Sequence, residues 1–524
     1  MMKNKTYQIV LKEIGNLMAM LGFILIIPCL VALIYGEFYS FLGFLMSGII
    51  TYGIGVSLYS SFIDAIEPQL KHGYIIAALS WLLLTVMGGL PFLIIANITP
   101  TEVMQQFVPQ GATFTSSLLY FQNPLHCIFE SMSAYTTTGL TMTVNESTVG
   151  KAVLFYRSFA QWIGGAGFIV LVLALFKHDS GRSVRLLYQS ESIGINLKNK
   201  VKDTTKGIWK SYVFITLITI VYLFVGTYLI LPDYPLSDNI FDSINHAMSG
   251  LSTGGFSTLD NNIGGYNSAA MSYLYVLPMI LGSFSLPFYF RIFFKGKFNE
   301  LWQDLQTRTL LICFFFGGII LSLLLLYSQA VSDPFQVGIF QFISAMSTTG
   351  WHISNIQLWD ERSILFVIFG AMLIGGAWGG TVGGIKIYRV LLIIKGIRWQ
   401  VKKEFFSQNT VKALKFDGKV MMPDQANALM ASASIYVILF LLILIVSTFI
   451  TTFFLPANYS FLDALFESTA AQSTTALTVG ITNPSMNPVV EVIYILQMWI
   501  GRLEIIPVLA LFRSTILGTN PKNL

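Results

Sequence analysis

The chain contains ten apolar stretches, each close to the length that a helix needs to cross a lipid bilayer. A membrane-spanning helix takes about 20 predominantly apolar residues. One such stretch is compatible with a buried helix of a soluble protein, but ten in succession are not. The stretches lie at residues 17–36, 38–59, 75–95, 155–176, 213–230, 271–294, 309–327, 364–387, 434–454 and 489–512.

The overall composition agrees with a lipid environment. Hydrophobic residues make up 54% of the chain and charged residues only 11%, whereas a soluble domain carries about 25% charged residues. Too few charges are available to cover a water-exposed surface. The sequence therefore predicts an all-α polytopic membrane protein in a lipid bilayer.

Basic residues are concentrated in alternate connections between the apolar stretches. The connections 98–150, 232–270, 329–360 and 456–490 contain no Lys or Arg, whereas those around 177–210, 291–308 and 386–419 are basic. Lys and Arg concentrate in cytoplasmic loops. With ten spans, both termini are predicted to be cytoplasmic. Orientation explains the basic loops, so no nucleic-acid partner is predicted.

One short polar phrase recurs four times, always in a connection assigned to the outer side. The copies are MSAYTTTGLT from residue 132, MSGLSTGGFS from 248, ISAMSTTGWH from 343 and TAAQSTTALT from 469. They align without a gap. Gly139, Gly255 and Gly350 share one column, in which the fourth copy has Ala476. The three columns before it hold Thr or Ser, apart from Gly254.

A short amphipathic run precedes each copy, for example at residues 124–134 and 462–471. A run of about ten residues is too short to span and is typical of a re-entrant half-helix. The alternative is that small residues only let helices pack closely, but this does not explain four outward phrases in one register. We therefore predict an N-terminal helix pair and four pseudo-symmetric helix–re-entrant loop–helix repeats around one central pore. The predicted boundaries are 1–70 for the pair and 71–200, 201–300, 301–420 and 421–524 for the repeats.

The repeated phrase suits the binding of a dehydrated monovalent cation. Irregular backbone at membrane depth survives where it is buried in protein or lines a watery cavity, and glycine lets successive carbonyls point one way. Rings of carbonyl oxygens replace the hydration shell of K⁺. The bound ion is therefore predicted to be potassium, with no organic cofactor. The predicted filter residues are Thr136, Thr137, Thr138, Gly139, Ser252, Thr253, Gly254, Gly255, Thr348, Thr349, Gly350, Thr474, Thr475 and Ala476.

Two further features lie inside predicted spans. Six glycines crowd the span 364–387, and because each destabilises a helix interior by about 1 kcal/mol, the helix is predicted to break there. Tight helix packing is the alternative reading. Arg502 lies deep in the last span, where a charge is expensive and usually functional; a structural ion pair is the alternative. The glycines are Gly375, Gly376, Gly379, Gly380, Gly383 and Gly384.

Several separated motifs together resemble the Trk/Ktr/HKT superfamily of potassium transporters over nearly the whole chain. They are the four phrases, RSFAQWIGGAGFIVL from residue 157, GGAWGGTVGGIKIYR from 375 and GRLEI from 501. The extra N-terminal helix pair is similar to the TrkH branch, the membrane subunits of bacterial Trk potassium-uptake systems. The resemblance implies potassium uptake, with Gly139, Gly255 and Gly350 as filter glycines. It also implies that the loop 375–384 gates the pore and that Arg502 points into it.

The same resemblance implies partners and a location. Members of the superfamily form membrane homodimers, and TrkH-like subunits dock on a cytosolic ring of nucleotide-binding regulatory subunits. The basic connections around 177–210 and 386–419 are candidate docking surfaces. The expected location is the cytoplasmic membrane of a bacterium or archaeon, as a multi-pass protein.

Ala476 departs from the family pattern. A methyl group restricts the backbone, so we expect weakened discrimination between K⁺ and Na⁺. The alternative function is a secondary transporter coupled to Na⁺ or H⁺, for which Glu130, Asp242 and Glu467 are available carboxylates. An enzyme is not predicted, because the histidines lack zinc-site spacing and no nucleotide-binding loop is present.

Overall fold

The computed structural model describes residues 3–167, 201–359, 362–405 and 413–516. Helices dominate these ranges. Those of the first half are Lys3–Ile26, Pro28–Ile34, Phe38–Ser61, Leu70–Ile98, Thr101–Gln106, Pro124–Tyr135, Lys151–Gly165, Val201–Ile230 and Leu236–Leu251. Those of the second half are Ala269–Ser283, Leu286–Tyr289, Glu300–Gln303, Leu305–Ser328, Pro334–Met346, Arg362–Leu373, Ile387–Glu404, Pro423–Phe454, Phe461–Ser473, Pro488–Arg502 and Ile506–Ile516.

Minor elements connect these helices. Short 3₁₀ helices occupy Ser117–Gln122, Glu146–Thr148, Asn262–Tyr266 and Ile356–Leu358. A π-helical turn covers Phe290–Phe294. The strand Ile374–Gly375 pairs in parallel with Ile385–Lys386, and Leu414–Phe416 pairs antiparallel with Lys419–Met421.

Six helices in the described ranges are long and apolar enough to cross a membrane. They are Thr6–Ile34, Phe38–Ser61, His72–Ile98, Lys206–Ile230, Leu305–Ser328 and Pro423–Phe454. The span predicted at 364–387 breaks as expected, since one helix ends at Leu373 and the next begins at Ile387. The span predicted at 155–176 is helical to Gly165, and residues 168–176 lie outside the described ranges.

Two predicted spans are bent instead of straight. The predicted span 271–294 bends by 96° between Ser283 and Leu286, where Pro287 disfavours helical geometry in the preceding residue. The predicted span 489–512 bends by 111° after Arg502. Glu504 and Ile505 adopt φ of 59° and 67° there, a left-handed conformation that ends a helix. Apolar composition alone did not reveal either bend.

The chain after residue 70 repeats one arrangement of a long helix, a short helix, an extended return segment and a second helix. We call the four short helices half-helices: Pro124–Tyr135, Leu236–Leu251, Pro334–Met346 and Phe461–Ser473. They contain 12, 16, 13 and 13 residues. A helix rises about 1.5 Å per residue, so none crosses a hydrocarbon core of about 30 Å. The four half-helices predicted from the repeat are present.

The N-terminal helices pack closely and are fixed to the first repeat. Gly15 and Gly55 allow the approach of Lys3–Ile26 to Phe38–Ser61, because a Cβ on Gly55 would lie 2.3 Å from Ala19 N. The Glu37 carboxylate accepts hydrogen bonds from Lys151 N and Ala152 N. It therefore caps the helix Lys151–Gly165, where a negative charge at a helix N-terminus is stabilising.

The basic connection predicted at 386–419 contains regular secondary structure, and its residues 406–412 lie outside the described ranges. Residues 387–404 are helical, and a β-hairpin follows at 414–421. The hairpin buries Phe416 and Met421 in a small apolar cluster with Trp399 of the helix. Of the basic connection at 177–210, residues 177–200 lie outside the described ranges, and the remainder begins the helix Val201–Ile230.

Candidate functional site

All four half-helices end in the same hydrogen-bonded cap. In the first, Thr136 N donates to Met132 O at 2.9 Å and Thr138 N donates to Ser133 O at 2.8 Å. The bond equivalent to the second one recurs in the other three copies. It joins Gly254 N to Ser249 O, Thr349 N to Ser344 O and Thr475 N to Ala470 O, at 2.8, 3.1 and 2.8 Å. The four copies of the phrase have similar sequences and therefore adopt the same hydrogen-bonded turn.

In each phrase, the threonine two columns before the glycine column adopts a left-handed backbone conformation. The φ angles are 58°, 54°, 55° and 53° at Thr137, Thr253, Thr348 and Thr474. Glycine usually fills this position after a helix, and a β-branched residue there is an outlier. Such a conformation costs about 1–3 kcal/mol and persists where the surroundings enforce it, often at functional sites. The same strain in four copies marks these residues as parts of one site.

The glycine column brings the four phrases together. Gly139, Gly255 and Gly350 have φ of 81°, 83° and 80°. A Cβ on Gly139 would lie 2.0 Å from Gly254 O, and one on Gly255 would lie 2.1 Å from Thr349 O. A Cβ on Gly350 would lie 2.1 Å from Ala476 N. The first copy thus contacts the second, the second contacts the third and the third contacts the fourth.

The fourth copy differs from the other three in backbone conformation as well as in residue type. Ala476 is not in the left-handed region that its three glycine counterparts occupy. Its methyl carbon lies 2.5 Å from the positions that a Cβ would take on Gly139 and Gly255, and 2.4 Å from that on Gly350. The methyl group therefore points toward the place where the three glycines meet.

Buried acidic residues hold two of the return segments. Glu130 accepts hydrogen bonds from Thr141 Oγ1 at 2.9 Å and Met142 N at 2.8 Å. In the fourth repeat, Glu467 accepts from Thr478 Oγ1 at 2.7 Å and from Val479 N at 2.8 Å. Both glutamates stand two columns before the aligned phrase, so the contacts are equivalent. We call this column the clamp column.

The clamp column is polar in the other two repeats too. His246 Nε2 lies 3.0 Å from Ser257 Oγ and accepts from Thr258 N at 3.3 Å. Gln341 is fully buried, and within the described residues neither its Oε1 nor its Nε2 has a hydrogen-bond partner. Glu130 and Glu467 were noted above as available carboxylates, but not as members of one column that His246 and Gln341 share. Extending the alignment by two residues would have shown it as four polar residues in apolar surroundings.

Further donors fix carbonyls close to the glycine column. Gln161 Nε2 donates to Gly254 O at 2.6 Å, and Asn262 Nδ2 donates to Gly255 O at 3.2 Å. Trp351 Nε1 donates to Phe256 O at 3.2 Å. The sequence analysis identified none of these three side chains, because nothing in the phrase itself indicates which distant residue will contact it.

The carboxylates available for ion coupling are held by fixed partners. Arg157 Nε donates to Glu130 at 2.8 Å. Asp242 accepts from Tyr234 Oη at 2.6 Å and from Thr258 Oγ1 at 2.6 Å. Glu467 accepts the bonds described above. A cavity of about 230 Å³ lies beside the glycine column, and none of these three carboxylates is among its described lining residues.

The glycine-rich segment 376–384, here called the inner loop, lies against the strained threonines. Thr381 Oγ1 is 3.2 Å from Thr253 Oγ1, and Gly383 N donates to Thr348 Oγ1 at 3.0 Å. A Cβ on Gly383 would lie 2.1 Å from Thr474 Oγ1. The inner loop therefore contacts three of the four left-handed threonines.

Arg502 contacts Thr137, the left-handed threonine that the inner loop does not reach. Its guanidinium donates to Thr137 Oγ1 at 3.4 Å, to Gly165 O at 2.8 Å and to Thr381 O. Backbone carbonyls thus surround the charge that the sequence analysis noted. Glu504, two residues further along the chain, pairs instead with Arg389.

Hydrogen bonds to neighbouring elements hold the beginning of the inner loop. Ala377 N donates to Ser283 O at 2.9 Å, and Trp378 N donates to Gln306 Oε1 at 2.8 Å. The Trp378 ring packs 4.9 Å from that of Tyr388. A Cβ on Gly375 would lie 2.0 Å from Gly383 O, which explains why this loop needs glycine. The other predicted glycines, at 376, 379, 380 and 384, lie in or at the ends of the same loop.

Comparison with known proteins identifies the family. The profile of the TrkH family, described as "Cation transport protein", matches residues 43–517. The chain belongs to the TrkH family. It is 30% identical over 516 residues to an uncharacterised cation transporter of Methanocaldococcus jannaschii, covering 97% of this chain and 96% of that one. It is also 28% identical over 530 residues to the Trk system potassium uptake protein TrkH of Halomonas elongata, covering 96% and 98%.

A solved structure supports the fold. The crystal structure of the potassium transporter TrkH from Vibrio parahaemolyticus matches with a TM-score of 0.76 at 24% identity, covering 99% of each chain. The family resemblance and the helical membrane fold predicted from the sequence are thereby confirmed. Membership of the TrkH family also makes this chain a cation transport protein of the multi-pass membrane class and not an enzyme.

Proposed function

We propose that this TrkH-family protein carries K⁺ across the cytoplasmic membrane of a bacterium or archaeon, along the axis between the four half-helices. The contacts of Gly139, Gly255 and Gly350 with neighbouring copies carry the proposal, because they place four equivalent backbone turns around one point. The Halomonas elongata relative is named a potassium uptake protein, and this supports K⁺ as the substrate.

The predicted filter residues act through their backbone oxygens. The C-terminal end of a half-helix carries a partial negative charge, and four such ends meet here. No Asp or Glu belongs to the four phrases. A weakly hydrated ion exchanges its water for carbonyl oxygens at the lowest cost, so K⁺ is favoured over more strongly hydrated ions.

The inner loop and Arg502 form the gate. Together they contact Thr137, Thr253, Thr348 and Thr474, none of which lines the cavity beside the glycine column. A guanidinium beneath the axis repels a cation, and the loop fills the path. Conduction therefore requires the loop to move away and the arginine to withdraw.

Ala476 weakens discrimination between K⁺ and Na⁺. Its φ differs in sign from those of the three glycines, so the peptide planes beside it are oriented differently. One of the four sides then offers oxygen in a different geometry. A ring that holds K⁺ less uniformly rejects Na⁺ less strictly.

Coupling to Na⁺ or H⁺ is the alternative function. Such a transporter needs a carboxylate that binds and releases the coupling ion, whereas Glu130, Asp242 and Glu467 are each engaged by fixed donors. We therefore assign downhill conduction through the axis instead of coupled transport.

Assembly follows from the family resemblance. We propose a homodimer with both termini in the cytoplasm and a cytosolic ring of nucleotide-binding subunits. The helix Ile387–Glu404 and the hairpin at 414–421 continue directly from the inner loop. A partner docked on them is therefore in a position to move the gate.

Ion flux into lipid vesicles tests the function. Purified protein in vesicles should pass K⁺ down its gradient, and an imposed pH or Na⁺ gradient should not drive K⁺ uphill; vesicles without protein set the background. Uphill K⁺ uptake driven by an imposed pH or Na⁺ gradient would instead establish the coupled alternative.

A further inference from the structure

The cavity of about 230 Å³ next to the glycine column has no residue of the inner loop in its described lining. Gly139, Gly255 and Ala476 form part of its lining, together with the carboxylate residues Glu146 and Asp260. Among the described residues that line it, none is Lys or Arg. An ion that approaches the axis from outside therefore meets negative charge first.

The two carboxylates are held in place. Glu146 begins a 3₁₀ helix, and its Oε1 lies 3.6 Å from a guanidinium nitrogen of Arg157. Arg157 also pairs with Glu130, so a single guanidinium serves two carboxylates. Asp260 accepts from Ser147 N at 2.7 Å and from Ser147 Oγ at 2.9 Å. Glu130, Glu146 and Asp260 together supply three carboxyl groups near one guanidinium, and only Glu130 and Glu146 pair with it, so the group carries excess negative charge when all three are ionised.

The hydroxyl group of Thr143 belongs to the lining of the same cavity. Thr143 lines the cavity and is 4% exposed, and its Oγ1 has no hydrogen-bond partner among the described residues. Buried hydroxyls normally find a partner, so this oxygen requires an explanation. Hard cations take oxygen ligands from carboxylates, backbone and water, and a cation in the cavity would use it.

We propose that Glu146, Asp260 and Thr143 form a loading site for a monovalent cation at the outer mouth of the pore. The inference rests on the proposed conduction and supplies its first step. A water molecule takes up about 30 Å³ of liquid volume, so the cavity has room for an ion that keeps part of its hydration. The ion then loses its remaining water as it passes between the glycines.

Protonation of Glu146 controls the charge of this site. Burial raises the pKa of the Glu146 carboxyl to about 8. The charge of Arg157 opposes the rise, and those of Asp260 and Glu130 add to it. The carboxyl is therefore mostly neutral at lower pH and charged above its pKa. Cation loading should strengthen as the external pH rises through that value.

Flux of Rb⁺ into vesicles at low ionic strength tests the site directly. For Glu146→Gln and Asp260→Asn, we expect the half-saturating Rb⁺ concentration at alkaline pH to rise roughly 3- to 10-fold, the effect of removing one nearby charge. Glu102→Gln removes an exposed outer carboxylate away from the cavity and should leave that concentration unchanged. The proposal would be overturned if both cavity variants had the same half-saturating Rb⁺ concentration as the wild type and Glu102→Gln.

Unmodified protein gives a second readout that does not depend on the folding of a variant. Its half-saturating Rb⁺ concentration should fall when external pH is raised from about 6.5 to about 9, and added N-methylglucamine chloride should diminish this change by screening. Glu146→Gln should show no such fall. A flat profile in the wild type would refute the loading site alone, whereas absence of any Rb⁺ or K⁺ flux would refute the proposed function itself.

Discussion

The outer and inner parts of the proposed pore differ in how many repeats build them. All four repeats contribute an equivalent capped half-helix and a strained threonine to the outer part. Within the described residues, the inner part comes from two repeats, as the inner loop of the third and Arg502 of the fourth. A hydration shell must be replaced from every side, so the outer part needs all four copies. A barrier can enter from one side and can move without disturbing the ring.

The largest expected effect comes from breaking the outer ring at one glycine. Gly255→Ala places a methyl group 2.1 Å from Thr349 O in a left-handed conformation. Strain of about 1–3 kcal/mol, at a tenfold change in rate for each 1.36 kcal/mol, should reduce K⁺ flux roughly 10- to 100-fold. Vesicle flux measures the loss.

Gly53→Ala is the matched control, since a Cβ there meets nothing within 4 Å. It should conduct as the wild type does. Equal flux through Gly255→Ala and Gly53→Ala would mean that the glycine column does not line the ion path.

Removing the barrier in the inner part should increase K⁺ flux instead of reducing it. Arg502→Gln removes the guanidinium that bonds to Thr137 Oγ1 and Thr381 O. Unit charges a few ångströms apart interact by roughly 1–4 kcal/mol, so K⁺ flux through the isolated protein should increase about tenfold. Arg308→Gln removes an exposed basic residue and should not change flux. A fall in flux in Arg502→Gln alone would mean that the arginine supports the pore and does not obstruct it.

Restoring the fourth glycine should make the outer ring more uniform. Ala476→Gly allows the backbone angle that the other copies use. The difference in backbone conformational free energy between alanine and glycine is about 1 kcal/mol. The K⁺/Na⁺ flux ratio should therefore rise roughly 3- to 10-fold. Ala431→Gly, at an exposed helical site, controls for the substitution. A strict K⁺ preference in the wild type, unchanged in Ala476→Gly, would contradict weakened selectivity.

The smallest effect concerns the clamp column, where the four copies are less alike. Glu467→Gln weakens bonds from Thr478 and Val479, and loss of such a partner costs about 1–3 kcal/mol. Gln341→Leu removes an amide that has no hydrogen-bond partner in the described structure and should be neutral or stabilising. Thermal denaturation in detergent compares the two variants. Equal destabilisation by both would show that the clamp bonds do not support the return segments.

The outer part could be predicted from the sequence because its information is local and repeated. An ungapped alignment located the glycine column, and the glycine cluster located the helix break at 374–386. Composition also fixed the class of fold. In each case, neighbouring residues in the chain determine the feature.

The rest depends on contacts between distant residues. Nothing near Gly254 indicates that Gln161 will hold its carbonyl, and nothing near Thr381 indicates that Arg502 will reach it. The bends after Ser283 and Arg502 occur within apolar sequence, where hydropathy does not distinguish a straight span from a bent one. The left-handed threonines are similarly invisible, because propensity disfavours that conformation.

Thallium provides the most direct measurement, because Tl⁺ replaces K⁺ and is located by its anomalous scattering. A crystal structure of the protein in Tl⁺ should show anomalous density on the axis between residues 139, 255, 350 and 476, with weaker density in the cavity beside Glu146. Density confined to sites away from that axis would contradict the proposal that the four half-helices form one cation pathway.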